Sequence, residues 1–123
     1  MSPHERLEAW RITHQLVLAV YRVTANWPGS EKYGMISQAR RCAFSAAANI
    51  AEGAAKRGKH EFARFLDISL GSHGELEYCL QLAADLSYLE GDELRELRLL
   101  QASAGRLTRR LYQAIVAKAR GHK

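Results

Sequence analysis

Proline is nearly absent from this 123-residue sequence: only Pro3 and Pro28 occur, and none follows Pro28. Nothing after that point therefore removes a backbone donor from a long helix. Cysteine is equally scarce. Cys42 and Cys79 show no C-x-x-C spacing, which excludes the usual zinc and redox motifs and leaves both as small buried hydrophobes. No apolar run approaches the ~18 residues that a membrane span needs. The opening MSPHERLEAW carries charge instead of the apolar stretch of a signal peptide, so the expected compartment is the cytoplasm, with no membrane partner. No Glu-x-x-His occurs, which removes the di-iron signature of helical bundles. His14, His60 and His73 are isolated and read as surface or packing residues. Ser45, Cys79 and His73 have no orienting acid or oxyanion donors at recognisable spacing. The expectation is a non-enzymatic chain with no cofactor, metal or small-molecule substrate.

Acidic residues are missing from the last 27 residues of the chain. From Leu97 onward there are seven basic residues (Arg98, Arg106, Arg109, Arg110, Lys118, Arg120 and Lys123) and no acidic one, a charge of +7. Residues 1–96 carry the other 11 basic residues against all 13 acidic ones, or −2. Two readings fit. A basic C-terminal segment on a near-neutral body is the footprint of a polyanion binder; it is also what a soluble helix with a cationic, dipole-favoured end shows. The first makes Arg98, Arg106, Arg109, Arg110, Lys118 and Arg120 the candidate RNA or DNA contacts.

What is present is helical periodicity, and the length suits a single domain, 1–123. Helices are expected over about 5–26, 35–55, 59–89 and 92–119, with the last residues, Gly121 to Lys123, frayed. Together they predict an all-α, antiparallel up-and-down four-helix bundle. Helix 1 shows two stripes, Trp10, Val17, Tyr21, Thr24 and Ile12, Leu16, Ala19, Val23; the surplus fits either an oligomer interface or a wide core-facing surface. Ser30 and Glu31 are placed to cap helix 2, Gly58 to end it in the left-handed conformation, and Asp92 to cap helix 4 after a stop at Glu90-Gly91.

The central stretch is QARRCAFSAAANIAEG, residues 38–53. Ala39, Ala43, Ala46, Ile50 and Ala54 form a face of mostly small side chains that permits close approach of another helix. Gln38, Ser45 and Glu52, spaced by sevens with Cys42 and Asn49 beside them, form an adjacent polar row that is either solvated or a hydrogen-bonded interface network. Helix 3 carries Gly71, Ser72 and Gly74 in its middle, and the two glycines are expected to pack on the alanines of helix 2. A hairpin about Gly58 sets Arg41 and Glu75 each 17 residues from the turn. An Arg41–Glu75 ion pair is therefore expected, with Arg40 as the alternative partner. The candidate polar network is Gln38, Arg41, Ser45, Asn49, Glu52, Ser72 and Glu75.

The segments SEKYG (30–34), QARR (38–41), S-x-x-x-NIAEG (45–53), EFARFL (61–66) and GSHGELE (71–77) together resemble the four-helix-bundle proteins encoded by intervening sequences of bacterial 23S ribosomal RNA genes, and their free-standing relatives. The combination of NIAEG with GS-x-x-ELE some twenty residues later is specific, and the match runs from Leu7 to about Leu89. The resemblance implies an up-and-down bundle, ring-like homo-oligomers with a pentamer favoured, and association with nucleic acid. The AFSAAA run before Asn49 is poorer in β-branched residues than the family pattern. A structural or protein–protein interaction module without nucleic-acid binding is the alternative function.

Overall fold

With no proline to interrupt them, α2 to α4 run for 20, 27 and 31 residues. The computed structural model describes residues 1–121. Its helices are α1 (Glu8–Thr24), α2 (Met35–Ala54), α3 (Lys59–Asp85) and α4 (Gly91–Gly121), with 3-10 turns at Pro3–Arg6 and Gly29–Glu31 and no strand among the described residues. Consecutive helices pack on each other and α4 closes against α1, which makes an up-and-down four-helix bundle.

Two apolar clusters fill it. Leu16, Val20, Trp27, Leu76, Leu80 and Leu97 belong to one; Ala9, Ile50, Leu66 and Ile115 form the other. Thr13, His73 and Thr108, all buried, lie between them in helix register. The buried residues of α1 are Ala9, Thr13, Leu16, Ala19, Val20, Val23 and Thr24, with Trp10, Ile12 and Val17 half-buried against the core; of the two expected stripes Tyr21 alone is exposed, so their surplus is a wide core-facing surface.

The helix ends differ from expectation for local reasons. Pro3–Arg6 turns as a separate 3-10 segment and Leu7 is extended, so α1 starts three residues later than position 5. The α3 helix stops at Asp85, not Leu89: Ser87 takes φ 61°, Ser87 N–H donates to Ala84 O at 3.0 Å and Tyr88 N–H to Ala83 O at 2.9 Å, a Schellman closure made by serine. Ending there drops Leu89 into the core and sets Tyr88 beside Trp27, ring centroids 6.0 Å apart. Gly58 is not left-handed; it is extended (φ −100°, ψ 148°) and precedes α3, leaving Lys56 and Arg57 beyond the end of α2. Asp92 lies inside the first turn of α4 and pairs with Arg95. The α4 helix continues through Gly121, while His122 and Lys123, for which fraying was expected, lie outside the described residues.

Glu31 does serve α2. Its Oε1 accepts from Met35 N–H at 3.1 Å and its Oε2 from the Tyr88 hydroxyl at 2.9 Å, so one carboxylate ties the start of α2 to the α3–α4 turn.

The small-residue contact between α2 and α3 is present, but Gly71 and Gly74 do not make it. Both are exposed, and a Cβ on either would meet nothing within 4 Å. Ala39, Ala43, Ala46 and Ile50 of α2 are fully buried, and Ser69 and Ser72 occupy the facing positions on α3. The glycine that comes close across the α2–α3 contact is Gly53, against Phe62 and Phe65.

Candidate nucleic-acid interface

The polar row on α2 is a half-buried seam against α3. Ser72 Oγ–H donates to Ser45 Oγ at 2.8 Å, and Ser69 Oγ–H to Ala46 O at 2.7 Å. Asn49 Nδ2 donates to Ser45 O at 2.8 Å and Ser45 Oγ at 3.1 Å. Ser and Asn are disfavoured in helix interiors because they compete with the backbone; here their polar groups have partners across or along the seam. Gln38 Nε2 donates to Glu75 Oε2 at 3.4 Å, and the Cys42 thiol faces the same oxygen at 3.8 Å.

Arg41 and Glu52 stand outside this seam, both exposed. The Arg41–Glu75 ion pair is not formed: among the described residues the ion pairs are Glu61–Arg64 and Asp92–Arg95. The Gly58 hairpin does bring positions 41 and 75 to one level, as Gln38–Glu75 and Ser45–Ser72 show, but the Arg41 side chain is exposed and Glu75 takes its hydrogen bond from Gln38. Arg40 is committed to α1, donating to Thr24 Oγ1 at 2.9 Å and to Tyr21 O at 3.3 Å with its guanidinium 4.7 Å from the Tyr21 ring centroid.

Cys42 and Cys79 are both buried. Burial first, then the neighbouring Cys79 and Glu75, pushes the Cys42 thiol up to about 12. Neither cysteine offers a thiolate at neutral pH.

All six candidate nucleic-acid residues are exposed on α4. At about 100° per residue, Arg98, Arg109 and Arg120 fall within about 40° of one another, and Arg106 and Arg110 lie to one side of them. Lys118 projects from the other side of the helix. Five arginines thus share one face over about 33 Å of axis. None is paired with a carboxylate among the described residues.

Beneath this face lies a group whose sequence context marks it only as an isolated packing residue. His73 is 3% exposed, and its Nε2 faces Thr13 Oγ1 at 3.4 Å and Thr108 Oγ1 at 3.3 Å. Thr108 Oγ–H also donates to Ala104 O at 2.8 Å. Three helices therefore meet at one polar node. Desolvation, then the nearby Arg109 charge, lowers the His73 pKa to about 4. Gln101, also buried, donates to His73 O at 3.4 Å. Polar residues at helical-core phase (Thr13, His73, Gln101, Thr108) were the available signal, hidden because an apolar count skips them. No group of three or more His, Cys, Asp or Glu side chains converges as metal ligands would, and no helix is long and apolar enough to cross a membrane, among the described residues.

The fold is shared with a solved structure, that of a protein of unknown function from the S23 ribosomal protein family of Bacteroides thetaiotaomicron: 19% identity over 85% of this chain and 95% of that chain, TM-score 0.78. No curated protein matches the sequence. A family model described as 23S rRNA-intervening sequence protein matches residues 5–111, nearly the whole bundle, and the chain belongs to that family.

Proposed function

We propose that this chain is a non-enzymatic, self-associating helical bundle that binds RNA or DNA through backbone phosphates. The observation that carries the reading is the arginine face of α4: Arg98, Arg106, Arg109, Arg110 and Arg120 are exposed, share one side of a straight element, and lack acidic partners among the described residues. Such a face suits phosphate contact more than base readout, because five arginines stand on it against the one exposed amide of Gln113, too few base-reading side chains for a recognition helix. Repetition around an assembly multiplies its field. Self-association is supported by the outer side of α2 and α3. There Phe44, Ile68 and Tyr78 are exposed, Gly71 and Gly74 leave open space, and a mainly apolar groove of about 480 Å³ runs past Met35, Tyr78 and Leu82. The ring-like assemblies of the proteins this chain resembles point the same way.

Electrophoretic shifts with structured RNA and duplex DNA across a salt series test it: affinity should fall linearly on a log-log plot with a slope set by the number of phosphates contacted. Absence of a shift at low salt favours the second reading, an interaction module for a protein partner. The solvent-facing groove of about 550 Å³ lined by Tyr21, Tyr33, Ile36, Arg40 and Phe44 suits that role.

A further inference from the structure

A third groove, of about 240 Å³, opens between α3 and α4, with His73, Glu77, Gln101, Gly105, Arg106 and Arg109 in its lining. That is below the ~300–1,000 Å³ of pockets that enclose drug-sized ligands, so it suits one compact group. Its chemistry is mostly that of donors. The guanidiniums of Arg106 and Arg109 stand at the exposed rim with no carboxylate bound to either among the described residues. Gln101 is 8% exposed, and its amide nitrogen makes one hydrogen bond, at 3.4 Å, to His73 O. That length is beyond the ordinary range, so the amide has donor capacity to spare. His73 is 3% exposed with Nδ1 lacking any partner. Two glycines keep the walls low: a Cβ on Gly74 would meet nothing within 4 Å, and one on Gly105 only Gln101 Nε2 at 3.7 Å. The acidic side chain in the lining is Glu77. Two guanidiniums against one carboxylate leave a surplus of one positive charge, which a phosphodiester, with one negative charge, neutralises.

We propose that this groove seats a single backbone phosphate of the bound nucleic acid, clamped by Arg106 and Arg109 over the Gln101 amide, and that the rest of the arginine face follows the strand outward from that anchor. The proposal rests on the nucleic-acid reading above. It separates the six candidate basic residues of α4 into two that fix register at a built site and four that add field alone.

The test uses the whole chain with its histidine side chains labelled for NMR, titrated with inorganic phosphate and with a short oligothymidylate. Both should move the His73 ring resonances. Arg106→Gln and Arg109→Gln should each weaken that response several-fold, Glu77→Gln should strengthen it, and Arg22→Gln on α1 should leave it unchanged. Unmoved His73 resonances under a ligand that demonstrably binds would overturn the proposal, as would an equal loss in Arg22→Gln and Arg109→Gln. A gel shift that fails while phosphate still moves His73 would sink the nucleic-acid reading and leave the anion seat standing.

Discussion

Gly53 of α2 and Phe65 of α3 approach so closely that a Cβ on Gly53 would lie 2.9 Å from Phe65 Cβ and 3.0 Å from Phe62 Cδ1. One of these neighbours is the first atom of a side chain, fixed to its own helix, so the contact cannot be relieved by a rotamer change alone. Gly53→Ala should therefore destabilise the chain by about 1–3 kcal/mol through overpacking, although the same change in an open helix gains about 1 kcal/mol of propensity. Urea denaturation measures it, and a variant more stable than the parent would show that α2 and α3 can separate at no cost.

Gly71 and Gly74 give the opposite expectation. Each costs α3 about 1 kcal/mol relative to alanine, and nothing within the chain fills the space above them. Gly71→Leu or Gly74→Leu should leave the isolated bundle folded and no less stable while reducing self-association. In light scattering the mass should fall from that of an oligomer toward the 13.8 kDa of one chain. A parent protein that already scatters as a monomer at micromolar concentration would remove the assembly from the proposal.

His73 supplies the pH dependence. Its pKa is lowered from 6.5 to about 4 by burial and by Arg109, so between those values the unfolded chain holds a proton that the folded one refuses. Stability is then fully present above pH 6.5 and falls as the pH drops toward 4, by roughly 3 kcal/mol across that window. Chemical denaturation at stepped pH should show this slope in the parent and a flatter one in His73→Gln. Equal slopes would mean that the imidazole is solvated in the folded state.

Arg41→Ala should change stability by no more than about 0.5 kcal/mol, the ordinary range for a surface substitution, instead of the ~3–5 kcal/mol that breaking a buried ion pair costs. A thermal melt decides between them. The contrast marks where the sequence stopped being legible. Distance along two helices from Gly58 sets which residues share a level, and the Ser45–Ser72 and Gln38–Glu75 contacts obey it. Which of the neighbours Gln38, Arg40 and Arg41 turns inward depends on rotation about the helix axis. That rotation is set by the buried Ala39, Cys42 and Ala43, together with α1, whose Thr24 and Tyr21 capture Arg40. Helix existence was readable from apolar period and from missing prolines. The stop at Ser87 was not, because a serine in the left-handed region gives no signal while Gly91, four residues on, gives a strong one. The polar node was hidden for a related reason: Thr13, His73 and Thr108 occupy core phase with side chains that composition assigns to the surface.

The arginine face carries the functional prediction. Arg106, Arg109 and Arg110 lie within four residues of one another, exposed, on a helix half that contains no acid. Changing all three to Gln should preserve helix content and oligomer size, since none makes an ion pair among the described residues. Affinity should fall for RNA and DNA sequences alike, because phosphate contacts carry no sequence information. The log-log salt slope should flatten by about 0.7–0.9 for each phosphate that is no longer neutralised. Gel shifts at several salt concentrations read both quantities from one titration set. A uniform drop without a change of slope would mean that the arginines act on the fold or assembly and not on phosphate. Unchanged affinity and slope would leave the positive charge without a polyanion, and the exposed Tyr33 and Phe44 of the opposite face would become the surface to pursue for a protein partner.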